Sequence, residues 1–166
     1  GLLVQPFWGQ DNFREEALGS MVGFTESHHK YHIYRAIIEG IGFALREGME
    51  RIEHKTGTKI KSAALSGGGT GSHAVCQIMS DIFGIEVYLT DSVDNTCLSA
   101  AMAVFKGVGT YSDLSEARKG MIKVSYVFHP IPENSSVYRN IYQNIYLKAY
   151  SRYTPLFKGL KQFFHS

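Results

Sequence analysis

The sequence predicts an α/β protein of layered architecture with parallel strand pairing. Three observations carry that expectation. Helical and extended patterns alternate along most of the chain. Residues 28–54 bear one apolar stripe at spacings of three and four. The short apolar run 60–65 ends in a cluster of glycines just before the next helical pattern.

Residues 1–24 are rich in Gly, Pro, Asn and Asp and read as loop with short extended pieces. Thr25 or Ser27 offers an N-cap oxygen. The stripe then runs through Ile33, Ala36, Ile37, Gly40, Ile41, Ala44, Leu45 and Ile52. Gly40 and Gly42 each cost a helix interior about 1 kcal/mol relative to Ala, so close packing against another element is expected there. Gly57 is a stop signal. After the strand at 60–65, Ser72 is placed to cap a helix that carries Val75, Ile78, Met79, Ile82 and Phe83 on one face, with Gly84 as its left-handed end. Glu86–Thr90 reads as a strand. Asp94 or Asn95 can cap a further helix with Leu98, Ala101, Met102 and Phe105 inward and Gly107 at its end. A short helix is expected over 113–119, and Val124–Phe128 alternates as a strand. Pro130 and Pro132 break the chain, and Pro130 reads as a hinge to an appended helix. That last helix starts near Glu133, sets Tyr138, Tyr142, Tyr146 and Tyr150 along one face, and is ended or kinked by Pro155.

Composition narrows the function classes. The 166 residues are about one domain, 44% apolar and 19% charged, with 17 Gly and 4 Pro, which excludes a disordered or collagen-like chain. Lys plus Arg number 17 against 15 Asp plus Glu, a net charge of +2, which gives no support for a nucleic-acid or membrane-surface partner. Cys76 and Cys97 are the only cysteines, too few for a disulfide framework or a four-thiolate zinc site, so reduced thiols in the cytoplasm are expected. No apolar run reaches the roughly 18 residues of a bilayer span. The opening residues lack the basic start of a signal peptide, and a first residue of Gly rather than Met suggests a fragment or a processed chain.

The most informative local feature is Ser66-Gly67-Gly68-Gly69-Thr70-Gly71-Ser72. Glycines after a strand let the backbone take positive φ and approach a ligand with no Cβ between them. The helix that follows turns its free N–H groups to the same spot. The run is not a P-loop, because Gly71 is followed by Ser72 and His73 rather than Lys and Ser or Thr. It also departs from the dinucleotide fingerprint, with Ser72 at the third glycine position. A ligand-binding turn and a purely structural turn are equally served by these residues.

Other candidates carry less. His28 and His32 share a helical face beside His29, but lack the intervening Glu and third ligand of a zinc helix. Glu86, Asp91 and Asp94 near strand ends could hold Mg²⁺ through water or simply be surface and cap carboxylates. Asp11, Arg14, Glu15 and Glu16 read as a solvated loop. The tyrosine ladder reads as a packing face with its hydroxyls at a wet rim. Ser66 and Ser72 have no His–Asp partners in view, so a hydrolase triad has no support.

The run from Leu65 to Tyr88 resembles the C-terminal domain of the FGGY-type carbohydrate kinases, of the xylulokinase and glycerol kinase kind. Gly67, Gly68, Gly69, Ser72, Gln77, Ser80, Asp81, Ile82, Phe83 and Gly84 stand at the places of the family's adenosine segment. Three further stretches agree in order: Pro6-Phe7-Trp8-Gly9 with Gly19 to Thr25, the helix His28 to Phe43, and Phe128 to Glu133 with the Tyr-rich tail. Two places depart from the pattern: Gly9 is followed by Gln10-Asp11-Asn12, and Ser99 stands where a glycine is usual.

This resemblance implies a ribonuclease H-like domain of the actin and hexokinase type, partial, with 132–166 as an appended Tyr-rich helix. It implies ATP and Mg²⁺ as cofactors and transfer of the γ-phosphoryl group to a sugar or polyol hydroxyl, with a pentulose favoured. It places the adenosine part of ATP or ADP on Gly67, Gly68, Gly69 and Ser72. The family's catalytic Asp belongs to an N-terminal domain that has no counterpart in these residues, so no catalytic residue is assigned and the chain alone is expected to be inactive. An isolated half should expose apolar surface and could form a homodimer. The competing reading is a non-catalytic actin-like interaction module that uses the tyrosine ladder and an exposed sheet edge.

Overall fold

The computed structural model describes residues 1–9, 14–91 and 95–164. A two-stranded antiparallel ribbon opens the chain: β1 (Leu3–Gln5) pairs with β2 (Ser20–Val22) in the register Leu3 to Val22. Helix α1 (Lys30–Thr56) follows and ends on Gly57 in the left-handed region, whose N–H bonds to Glu53 O at 2.8 Å. Its N-cap is His29, not Thr25 or Ser27. The Thr25 hydroxyl is engaged with Ser27 Oγ (2.8 Å) and His28 Nδ1 (2.9 Å), while the His29 N–H donates to His32 Nδ1 at 3.2 Å. The small hydroxyl residues close a turn of their own, and the helix begins after it.

The second sheet has the order β3 (Ser62–Leu65), β4 (Glu86–Thr90), β5 (Val124–Phe128). Strands β3 and β4 are parallel, joined through α2 (His73–Phe83) in the expected βαβ manner. The expectation of parallel pairing fails at β5, which runs antiparallel to β4 with an irregularity at Leu89 and Thr90. The reason lies in the connection. Two helices, α3 (Asn95–Gly107) and α4 (Leu114–Met121), separate β4 from β5, and the chain re-enters the sheet at the end where β4 left. The Asp91 N–H donates to Lys123 O at 3.0 Å, which fixes the two strand ends side by side. Asp113 caps α4 by accepting the Glu116 N–H at 2.8 Å. The expected cap at Asp94 lies outside the described residues. Phe105, expected inward, is exposed; it sits edge-on to Tyr111 in the turn before α4 instead of reaching the sheet.

The tail forms α5 (Pro132–Ile141), a π-helical turn over Tyr142–Tyr146, and α6 (Leu147–Phe164). Pro155 does not end α6. The carbonyl it leaves without an N–H partner belongs to the exposed Ser151, where water can serve. Among the described residues, no helix is long and apolar enough to cross a membrane.

Two clusters form the core. On one face of the second sheet, Val87, Leu89 and Phe128 pack with Cys76 of α2. On the other side of α2, Ile82 packs with Phe43 of α1 and with Tyr138, Tyr142 and Tyr146. The two helical glycines let α1 come this close: a Cβ on Gly42 would stand 2.6 Å from Ile82 Cδ1, and one on Gly40 2.6 Å from Val4 O. The tyrosine rings are therefore interior, and the hydroxyls of Tyr138 and Tyr142 reach polar groups of α1. Tyr138 donates to Glu39 at 2.8 Å and accepts from Arg35 at 3.1 Å; Tyr142 donates to Glu50 at 2.8 Å.

This burial has a measurable consequence. Burial, with Glu39 adding to it and Arg35 opposing, pushes the Tyr138 phenol up to about 12, and burial with Glu50 raises Tyr142 as well. An unfolded tyrosine ionises near 10. Between these values the unfolded chain releases protons that the folded chain keeps, so stability falls as pH rises. Urea midpoints should be flat below about pH 9 and decline from pH 10 to pH 12, with a shallower decline for Tyr138→Phe. An undiminished midpoint at pH 11 would contradict this placement.

Candidate functional site

The glycine run leaves β3 at Leu65 and enters α2 at His73. Gly67 has φ +100°, a conformation that L side chains rarely adopt, so the backbone itself demands glycine there. Gly68–Gly71 then make one 3₁₀ turn, closed by the Thr70 N–H (3.0 Å) and the Thr70 hydroxyl (2.7 Å), both donated to Gly67 O. From below, the buried Cys76 thiol lies 3.7 Å from Thr70 O. Burial pushes that thiol's pKa up, so it stays protonated and supports the turn rather than acting as a nucleophile.

Gly68, Gly69 and Gly71 are different from Gly67. None of them has positive φ, and a Cβ built on any of the three meets nothing within 4 Å. They are exposed. Among the described residues, neither conformation nor packing calls for glycine at these three positions. The run lies open, as a surface that another molecule is to approach would require. Ser72 occupies the N-cap position of α2 in extended conformation but, contrary to expectation, its side chain makes no capping hydrogen bond. The Ser72 hydroxyl is left beside the open glycines, at the end of α2 where the first N–H groups have no partner within the helix. The predicted residues Gly67, Gly68, Gly69 and Ser72 are thus contiguous and solvent-facing.

The rest of the matched segment does another job. Asp81 is only 2% exposed. Its Oδ1 accepts from Gln77 Nε2 (2.9 Å) and from the Ile131 N–H (2.8 Å), and its Oδ2 from Asn134 Nδ2 (2.8 Å). Gln77 Nε2 also reaches His129 O at 2.9 Å, and the Ser80 hydroxyl lies within 3.1 Å of both Ile85 O and Phe128 O. These side chains fasten the segment after β5, and the start of α5, onto α2. Sequence reasoning aligned Gln77, Ser80 and Asp81 but gave them no role. On the helical wheel the three lie opposite the stripe Val75, Ile78, Met79, Ile82 and Phe83, where polar residues are ordinary, so the pattern gave no signal of their burial.

The other candidates are placed as follows. His28, His29 and His32 gather with ring centroids 4.1 to 5.4 Å apart, yet among the described residues no group of three His, Cys, Asp or Glu side chains could hold a metal. Glu86 accepts from the Tyr88 hydroxyl (2.7 Å) and pairs with His129 (3.1 Å). Arg14 is not in a solvated loop. It pairs with Glu47 and lies over the rings of Phe7 (4.9 Å) and Tyr150 (5.1 Å), because an Arg stem and plane pack well on aromatic faces. Asp11 and Asp94 lie outside the described residues. The tyrosine ladder is not available as a docking surface, since Tyr138, Tyr142 and Tyr146 are buried. A hollow of about 640 Å³ lies at the far end of α1, lined by Arg46, Glu50, Glu53 and Lys59. Its charges are already joined to one another, Arg46 to Glu50 and Lys59 to Glu53, so it offers a ligand less than the glycine turn does.

Comparison with known proteins places the chain in a family. Residues 3–107 match the FGGY family of carbohydrate kinases, C-terminal domain. The xylulose kinase of Bacillus subtilis (strain 168) is 29% identical over 145 residues, 87% of this chain and 29% of that protein. The glycerol kinase of Paenarthrobacter aurescens (strain TC1) is 33% identical over 114 residues, 69% of this chain and 22% of that protein. The crystal structure of gluconate kinase from Lactobacillus acidophilus superimposes with a TM-score of 0.83 at 25% identity, covering 96% of this chain and 32% of that one. The α/β architecture is that of an actin-like ATPase domain. The chain belongs to the FGGY family of carbohydrate kinases, in its C-terminal domain. It spans about a third or less of the length of these relatives.

Proposed function

We propose that these 166 residues are the nucleotide-side part of a cytoplasmic, ATP-dependent carbohydrate kinase that passes the γ-phosphoryl group of ATP to a hydroxyl of a sugar or polyol. The observation that carries the proposal is the open backbone at Gly68, Gly69 and Gly71, which no conformational or packing need among the described residues explains. Gly67 shapes the bend, Gly68 and Gly69 give the adenosine a flush main-chain surface, and Ser72 supplies a hydroxyl. The fit is to a planar, uncharged group: no cationic side chain belongs to the run from Ser66 to Ser72. Mg²⁺ would come with the phosphates of the nucleotide, where it neutralises charge during transfer. A pentulose is the favoured acceptor, because relatives named xylulose kinase align over more of the chain than those named glycerol kinase.

Phosphoryl transfer needs a base, a metal clamp and phosphate-binding groups held together. These residues supply one wall of such a site, so the chain by itself should show no sugar-dependent ATP consumption. It should still bind nucleotide. Titration with ATP or ADP is expected to move the amide resonances of Gly68, Gly69 and Ser72. Gly68→Val should abolish those shifts while altering stability by no more than about 0.5 kcal/mol, because the added side chain meets only open space. Absence of shifts at these amides in millimolar ATP would overturn the proposal.

A further inference from the structure

We infer that His73 and Tyr126 form a stacking ledge for the purine ring, set beside the glycine bend. The inference rests on the nucleotide reading above and adds the residues that would recognise the base.

Strand register brings the two features together. Leu65, the last residue of β3 before the bend, pairs with Leu89 of β4, and Leu89 pairs with Tyr126 of β5. The bend therefore rises at the level of Tyr126, two strands or about 10 Å away across the sheet. His73, the first residue of α2, follows Ser72 directly and reaches Tyr126. The two rings have centroids 4.8 Å apart at 40°. Beneath them Phe128 is an anchor: it is buried, lies edge-on to His73 at 5.4 Å and 4.6 Å from Tyr126. Tyr126 nonetheless stays 48% exposed, and His73 is exposed as well.

This is an aromatic pair held in place from below and left wet above. Neither side chain donates or accepts a hydrogen bond among the described residues, so no polar duty explains either ring. Aromatic faces in this setting are what nucleobases stack on, whatever their identity. With the side-chain-free main chain of Gly68 and Gly69 on one flank and the two rings on the other, the occupant that fits is a flat heteroaromatic ring. The run from Ser66 to Ser72 brings no Lys or Arg to meet a phosphate.

The test titrates the chain with adenosine, which lacks phosphates, and with ADP, following the amides of Gly68, Gly69 and Ser72. His73→Ala is expected to weaken both ligands at least about fivefold. His73→Phe, which keeps a ring but no ring nitrogen, should stay within about twofold of the unaltered chain. Melting temperatures measured in parallel show that each variant is folded. If neither ligand moves the three amides of the unaltered chain, the nucleotide reading falls and the ledge with it. If they move but His73→Ala binds as tightly, the ledge alone is overturned and the glycine bend stands. If His73→Phe is as weak as His73→Ala, His73 acts through a hydrogen bond, and stacking is overturned.

Discussion

Replacing Asp81 with alanine is expected to destabilise the chain by about 3 kcal/mol or more, the largest effect of any single polar substitution described for it. For a domain of this length that is a fall in melting temperature on the order of 6 to 12 °C. The carboxylate is buried and takes three hydrogen bonds, from Gln77, the Ile131 N–H and Asn134. Alanine removes the acceptor and strands the Ile131 N–H and the Asn134 amide, both on the segment that follows β5, while Gln77 keeps only His129 O. Losing hydrogen bonds to a charged group, and stranding their donors, is costlier than the bonds are worth in net terms. Asp81→Asn should be intermediate. Its amide oxygen can still serve two donors, but its NH₂ would face the NH₂ of Asn134. A thermal melt of Asp81→Ala within about 0.5 kcal/mol of the unaltered chain would show that the network contributes nothing.

Gly40→Val should cost about 3 kcal/mol, the upper end of ordinary overpacking. The Cβ alone would stand 2.6 Å from Val4 O, a backbone atom in β1 that cannot swing aside. Helix α1 would have to part from the β1–β2 ribbon. The gain in helix propensity on replacing glycine with valine, less than about 1 kcal/mol, offsets only part of this. Gly42 makes the useful contrast. Its Cβ would meet Ile82 Cδ1 at 2.6 Å and Met79 Sδ at 3.2 Å, both near the ends of flexible side chains. Gly42→Ala should therefore be much milder than Gly40→Ala, and denaturant midpoints of the two will rank them. Equal midpoints would mean that α1 is not held against Val4.

Much of the fold could be read from residue patterns because local chemistry decided it. Strands β4 and β5 lie where alternation put them, the left-handed glycines at 57 and 84 end their helices, and Gly40 and Gly42 mark close packing. What escaped was set at longer range. The antiparallel entry of β5 is set by where the two-helix connection returns the chain to the sheet, and alternation has no sense of direction. Arg14 looked solvated because its neighbours in sequence are polar, yet Glu47 and two aromatic faces come to it from elsewhere. Ser72 has the residue type of a cap without performing the function. At the candidate site, the glycine bend was legible because glycines punctuate a chain in a way no other residue does. The fastening role of Asp81 was not, since its partners lie some 50 residues away.

The bend between Ser66 and Ser72 carries two constraints that can be separated. Position 67 answers to the chain's own geometry, and any descendant that folds this way must keep its glycine. Positions 68, 69 and 71, on the proposed nucleotide role, would answer to a guest. In a lineage that no longer needed the guest, those three would be free to drift toward alanine or serine while 67 stayed fixed. The pattern of drift across homologues would thus record which members still use the surface and which have only inherited it.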